Sequence, residues 1–180
     1  MDYHIERCHT AVREGYRSIL QLDTEVWMPR GCGKMEEYYL RVREACARWA
    51  ETAEGARLCE AYRAIEDHME RARFQTASYQ LICSPMWEEF PYVSYLCRSV
   101  LQIGQGKSER VMAQVWNSEE ETVLPMGQVL KIFPTEASKK RIPFRPDGVY
   151  LLSDELVFYR NANNARSQSV LIAIKKFLPS

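Results

Sequence analysis

The sequence predicts an α+β fold: N-terminal helices packed on a mainly antiparallel sheet, a meander that ends in a C-terminal hairpin. Three observations carry this. Residues 147–161, DGVYLLSDELVFYRN, set two runs of β-branched and aromatic residues around the polar break Ser153-Asp154-Glu155, which is the pattern of a hairpin. Apolar residues recur at helical spacing through residues 1–73. From Phe74 onward the pattern changes to alternation punctuated by Gly and Pro. The expected organisation is one domain over 1–180, helical in 1–73 and sheet in 74–178.

In chain order, Ile5, Cys8, Val12, Ile19 and Leu20 predict a helix over 2–22, with Gly15 weakening its middle by about 1 kcal/mol. A loop over 23–34 follows, broken by Pro29, Gly31 and Gly33, with Trp27 and Met28 lying over the core. Met35, Tyr38 or Tyr39, Val42, Cys46 and Trp49 form the apolar stripe of a helix over 35–53, and Glu36 and Glu37 suit its positive N-terminal end. After Gly55, residues Leu58, Tyr62, Ile65 and Met69 predict a further helix over 56–73. One of these last two helices is expected to cover a face of the sheet.

Strands are predicted at 76–83, 92–103, 109–116 and 122–124, joined by the turn-rich segment 84–91, the GQGK turn at 104–107 and the NSEE turn at 117–120. Pro125 opens a short helix over 125–131. An irregular basic connection, 132–146, leads into the final hairpin. The apolar run 170–174 is expected beside that hairpin, as the last strand of the same sheet.

Charge is balanced, with Lys and Arg totalling 24 against 24 Asp and Glu, which argues against a general polyanion binder and leaves room only for a local basic patch. The six cysteines, at 8, 32, 46, 59, 83 and 97, form no CxxC pair, which removes zinc-ribbon and thioredoxin readings. Most lie on apolar faces and read as free, buried thiols. The N-terminal MDYHIERCHT has no apolar leader, and no run approaches the ~20 apolar residues of a membrane span. The sequence therefore reads as soluble and cytoplasmic.

Candidate chemistry is sparse. Gly31-Cys32-Gly33-Lys34 superficially matches a phosphate loop, but Met28 and Met35 stand where that motif needs Gly and Ser or Thr. His4, Cys8 and His9 offer metal ligands that only Cys32 or His68, brought in by the fold, could complete. A Cys–His nucleophile pair and carboxylate catalysis by Glu88-Glu89 or Glu119-Glu120-Glu121 lack any flanking signature. Lys131, Lys139, Lys140, Arg141 and Arg145, interleaved with Ile132, Phe133 and Phe144, could hold nucleic acid. The aromatics Trp27, Trp49, Trp87, Trp116, Tyr92, Tyr95, Tyr150 and Tyr159 belong to the core or its rim, where some could form a recognition surface.

Three local patterns resemble a known family. They are the helix start Lys34-Met35-Glu36-Glu37-Tyr38-Tyr39, the strand–GQG–strand unit that ends in Trp116 before Val123-Leu124-Pro125-Met126, and the hairpin from Val149 to Tyr159. In order and spacing they resemble the domain of unknown function shared with the extracytoplasmic domain of the lysozyme-responsive anti-sigma factor RsiV and many clostridial proteins. The chain departs from that family at Ile103-Gly104-Gln105-Gly106-Lys107, which lacks the family's alanine and histidine. It departs again at Asn161-Ala162-Asn163-Asn164-Ala165, where the family carries an acidic segment. The resemblance implies relatives that are often extracytoplasmic. It also implies a non-enzymatic binding module, without cofactor or metal, for a protein or envelope-derived ligand. The candidate contact residues are Trp87, Glu88, Gln105 and Lys107. The alternatives are an enzyme with a fold-assembled Cys–His or carboxylate site and a nucleic-acid binder acting through 131–145.

Overall fold

A computed structural model describes residues 1–134, 142–153, 155–161 and 168–173. The class is α+β, and the described strands form a six-stranded sheet in the order β1-β2-β3-β4-β5-β6 and a three-stranded sheet β7-β8-β9. The chain opens with a hairpin rather than a helix: β1 (Tyr3–Glu14) pairs antiparallel with β2 (Arg17–Pro29). Gly15, taken as a helix weakness, is the turn residue, with φ +59°. In β2, Leu20, Leu22, Thr24, Val26 and Met28 are buried and alternate with Gln21, Asp23, Glu25 and Trp27, a period of two.

The expected helix over 35–53 is present. α1 (Gly33–Trp49) is followed directly by a π-helical turn (Ala50–Gly55) and α2 (Ala56–Arg63). No side chain of Cys32 caps α1; instead Glu121 Oε2 accepts from Lys34 N at 2.9 Å. The predicted helix over 56–73 is broken after α2, and α3 (His68–Ala72) restarts behind an Asp67 cap that accepts from Glu70 N at 2.8 Å. The helices form a crossover, because β3 (Ala77–Glu89) returns parallel to β2.

The meander is as expected at β4 (Tyr92–Ile103), β5 (Gly106–Asn117) and β6 (Thr122–Leu124), with Gly104 at φ +56° in the turn. The predicted turn-rich segment 84–91 is instead mostly strand: β3 continues to Glu89, and its register shifts between Pro85 and Trp87. That bulge places Trp87 opposite Ser94, on the face away from the helices. α4 (Met126–Ile132) follows β6. The final hairpin is β7 (Gly148–Leu152) with β8 (Glu155–Arg160), and β9 (Gln168–Ala173) pairs with β8. These three strands are not the end of the first sheet, as expected, but a second sheet.

Each face of the large sheet has its own core. On the helix side, Met35 and Tyr39 of α1 and Leu58 of α2 pack on Leu20, Leu22, Val26, Met28, Tyr79, Leu81, Cys83, Val93, Tyr95 and Trp116. Tyr39 stacks on Tyr95 with ring centroids 4.4 Å apart and accepts from Trp116 Nε1 at 2.9 Å. On the other side Val115 and Val129 pack with Val149, Leu151, Leu156 and Phe158, flanked by Trp87, Leu124, Phe133 and Ile142. Polar links lock the two sheets together: Ser94 Oγ, fully buried, accepts from Leu151 N at 2.9 Å. Tyr159 hydroxyl accepts from Ala113 N at 2.8 Å. Asn161 accepts from Val111 N through Oδ1 and donates to Val111 O through Nδ2, copying a strand partner at the edge of β5.

The buried phenols make stability fall at high pH. Tyr3, Tyr39, Tyr79 and Tyr95 are all held above the ordinary tyrosine range, in each case chiefly by burial. Their contribution is fully present below the unfolded value of about 10 and is lost as pH rises toward the folded values, because the unfolded chain then binds fewer protons. Absorbance titration at 295 nm should show these phenols ionising only with unfolding. Reversible ionisation of all ten tyrosines in the folded chain would refute this.

Candidate functional site

The helix-side core is not covered to its end. Where α1 stops, Ala45, Cys46 and Trp49 face Tyr79 of β3, Ser99 of β4 and Arg110 of β5 across a groove of about 230 Å³. The sheet supplies its floor by register, since Ser99 is opposite both Leu81 and Arg110, with Tyr79 one step along β3 on the same face. Trp49 is the last α-helical residue, and the π turn that follows widens the helix at this point, a distortion that recurs at functional sites. Gly55 ends that turn against β1: a Cβ there would lie 2.9 Å from Val12 Cγ2. This packing fixes where Trp49 emerges.

Trp49 is 42% exposed, with its ring 5.9 Å from that of Tyr79. The Tyr79 phenol lies beside the Cys46 thiol and the Ser99 hydroxyl, and burial, with Cys46 beside it, raises its pKa above the ordinary tyrosine range. Burial also pushes the Cys46 thiol up, so it is a poor nucleophile at neutral pH. Arg110 is exposed and makes no ion pair or hydrogen bond among the described residues. The groove thus offers an aromatic wall, a neutral polar floor and an unpaired cation.

Two other hollows are already satisfied by the protein itself. On the face away from the helices, a groove of about 440 Å³ is lined by Arg7, Cys8, His9, Asp23, Thr24, Glu25, Gln80, Leu81 and Ile82. Its polar groups are paired: Arg7 Nε with Glu25 at 2.8 Å and His9 Nδ1 with Asp23 Oδ1 at 2.6 Å. Beside it, Arg98 meets Glu109 through contacts of 2.7 and 3.1 Å. The third hollow, near Lys34 and Tyr38, contains the Arg41–Glu37 ion pair and the Glu121 carboxylate that caps α1.

The residues singled out in the sequence do not converge. Trp87 is half-buried, its ring 5.5 Å from Phe133 in the second core. Glu88 accepts from the Tyr3 hydroxyl at 2.9 Å and pairs with the N-terminal amine of Met1. Gln105 and Lys107 are exposed at the β4–β5 turn. Glu88 is opposite Val93 and Lys107 opposite Gln102, so most of β4, about 30 Å at the rise of an extended strand, separates the two groups.

His4 and Cys8, read as one helix turn apart, are on a strand and lie about 13 Å apart at its rise. Among the described residues no three His, Cys, Asp or Glu side chains group as metal ligands. The backbone after Gly33 is occupied by the protein's own Glu121. Glu119 and Glu120 are exposed, their N–H groups bonded to Asn117 Oδ1. Lys139, Lys140 and Arg141 lie outside the described residues; in the same connection Phe133 and Ile142 pack into the second core, and Phe144 lies under Arg160.

The sequence placed Trp49 in an apolar stripe and among the aromatics that could form a recognition surface, while Tyr79, Ser99 and Arg110 carried no signal. No local motif joins those three, because three separate strands supply them.

Of the cysteines only Cys8 is exposed, while Cys32, Cys59, Cys83 and Cys97 are buried. Burial raises the Cys32, Cys46, Cys59 and Cys97 thiols. A chromogenic thiol reagent at neutral pH should modify Cys8 rapidly and all six only after unfolding. A fast phase that persists in a Cys8→Ser variant would contradict the burial described.

Among the described residues no helix is long and apolar enough to cross a membrane. No protein-family model matches the sequence, and no curated protein matches it. Solved structures are similar in fold, and two of them are members of one family. A DUF3298 family protein from Pseudomonas aeruginosa PAO1 shares 10% identity over 97% of this chain and 95% of its own, with a TM-score of 0.56. A DUF3298 family member from Bacteroides fragilis NCTC 9343 shares 10% identity over 96% and 90%, with a TM-score of 0.52. The chain thus has the fold of proteins assigned to a domain family of unknown function.

Proposed function

We propose that residues 1–180 act as one α+β domain and as a non-enzymatic binding module for a protein or envelope-derived ligand, a divergent relative of the RsiV extracytoplasmic domain. The observation that carries the binding role is Trp49, held part-exposed at the mouth of the groove beside the unpaired Arg110. Tryptophan and arginine are the residue types that most often dominate interfaces, because each contributes large contact area with a directional polar group. The three patterns that resemble the RsiV domain support the relationship, since they fall at the start of α1, on the β4–β5 hairpin and on the β7–β8 hairpin.

The test is affinity capture on the immobilised chain, with lysozyme as a defined bait beside a lysate of the source organism. Wild-type chain should retain one partner in stoichiometric amount, and Trp49→Ala should lose it while keeping the wild-type circular dichroism spectrum. A partner held equally by Trp49→Ala, or no retention of any bait, would contradict the reading.

A further inference from the structure

The groove's size and charge narrow what it can take, granting that the domain is a binding module. At about 230 Å³ it is smaller than the roughly 300 Å³ at which pockets for drug-sized ligands begin, so it suits one ring or one branched side chain. The apolar surface that would take such a group is the part-exposed Trp49 ring, which packs on the Tyr79 ring of the floor. Among the described residues nothing acidic lines the groove, and its one charged lining residue is Arg110. The guanidinium is a planar fork that matches a carboxylate with two parallel hydrogen bonds. An apolar group and an anion are therefore wanted within one residue of each other. The last residue of a polypeptide supplies this: side chain and α-carboxylate branch from a single Cα. An internal Asp or Glu brings the charge without the ring, and an internal Phe brings the ring without the charge.

We propose that the groove of Trp49, Tyr79, Ser99 and Arg110 captures the C-terminus of a partner protein that ends in an aromatic or branched aliphatic residue. The side chain lies against Trp49 and over Tyr79. The terminal carboxylate pairs with Arg110, and Ser99, at the floor between them, is placed to hydrogen-bond the carboxylate or the last peptide unit. The Cys46 thiol, raised by burial, faces the floor from α1 as an uncharged contact.

The test uses the full chain and two fluorescein-labelled peptides of the sequence Gly-Ser-Gly-Ser-Phe, one with a free C-terminal carboxylate and one amidated, followed by fluorescence anisotropy. The free acid should bind saturably and the amide about ten-fold more weakly or worse. Arg110→Ala should bring the acid down to the level of the amide and leave the amide unchanged, and Trp49→Ala should weaken both. Equal binding of acid and amide, or no saturation of the acid by about 1 mM, overturns the proposal. If a captured partner depends on Trp49 but still binds after its C-terminal residue is removed with carboxypeptidase, this inference fails while the binding-module reading stands.

Discussion

Replacing Tyr39 by alanine should cost about 4 kcal/mol of folding stability, measured by urea unfolding at an unchanged m-value. The side chain is fully buried, and it is the point where α1 is joined to the sheet. Its ring stacks on Tyr95, and its hydroxyl accepts from the indole N–H of Trp116. Truncation removes the ring contacts and also strands a buried donor. Tyr39→Phe separates the two effects: it keeps the stack and leaves Trp116 Nε1 without an acceptor, for a loss of about 1–3 kcal/mol. If Tyr39→Ala cost under about 1 kcal/mol, the joint between α1 and the sheet would not be where the structure puts it.

The second large effect is expected at Gly148. A Cβ there would lie 2.5 Å from the Tyr159 hydroxyl oxygen and 2.8 Å from two atoms of its ring. Gly148 and Tyr159 are opposite each other in the β7–β8 pair, and Tyr159 crosses over the glycine to reach Ala113 N of the large sheet. Gly148→Ala must push that ring aside and leave the Ala113 N–H unpaired. Overpacking and a lost hydrogen bond together exceed the strand preference of Ala over Gly, for a net loss of about 2 kcal/mol. The coupling is checkable, because in a Tyr159→Ala background the same Gly148→Ala change should be neutral or stabilising. Additive losses would mean that the two sites do not act through each other.

The second half of the fold was legible because its signals are local. Strand β4 matches its expected span, and the glycine at 104 adopts the positive φ that a tight turn requires. The first half misled for a physical reason. β1 is an edge strand with Ile5 on one face and Cys8 and Val12 on the other, so neither face is purely apolar and the period of two disappears. What remained was a chance helical spacing of Ile5, Cys8 and Val12. In β2 the alternation from Leu20 to Met28 is plain, but Pro29, Gly31 and Gly33 drew the loop boundary too early. The parallel pairing of β2 with β3 was out of reach once the first strand pair was missed.

The site was less legible than the fold. Trp87 looked like a turn aromatic, and the bulge after Pro85 turned it into the second core. Glu88 looked available and is bonded to Tyr3. Gln105 and Lys107 lie where a turn was expected, but at the far end of β4 from the other two. The groove residues carry no spacing signal, because Trp49 comes from a helix end and Tyr79, Ser99 and Arg110 come from three neighbouring strands. Only the register of the sheet brings them together.

The central claim, that ligands enter the groove at the end of α1, is tested most directly by NMR. The ¹⁵N-labelled chain is titrated with the free-acid peptide Gly-Ser-Gly-Ser-Phe, and backbone amide shifts are mapped by residue. The account predicts perturbations clustered at Ala45, Cys46, Trp49, Tyr79, Ser99 and Arg110, with Trp87, Glu88, Gln105 and Lys107 unmoved. Perturbations concentrated at the β3–β4 turn or at the β4–β5 turn, with the groove silent, would contradict it.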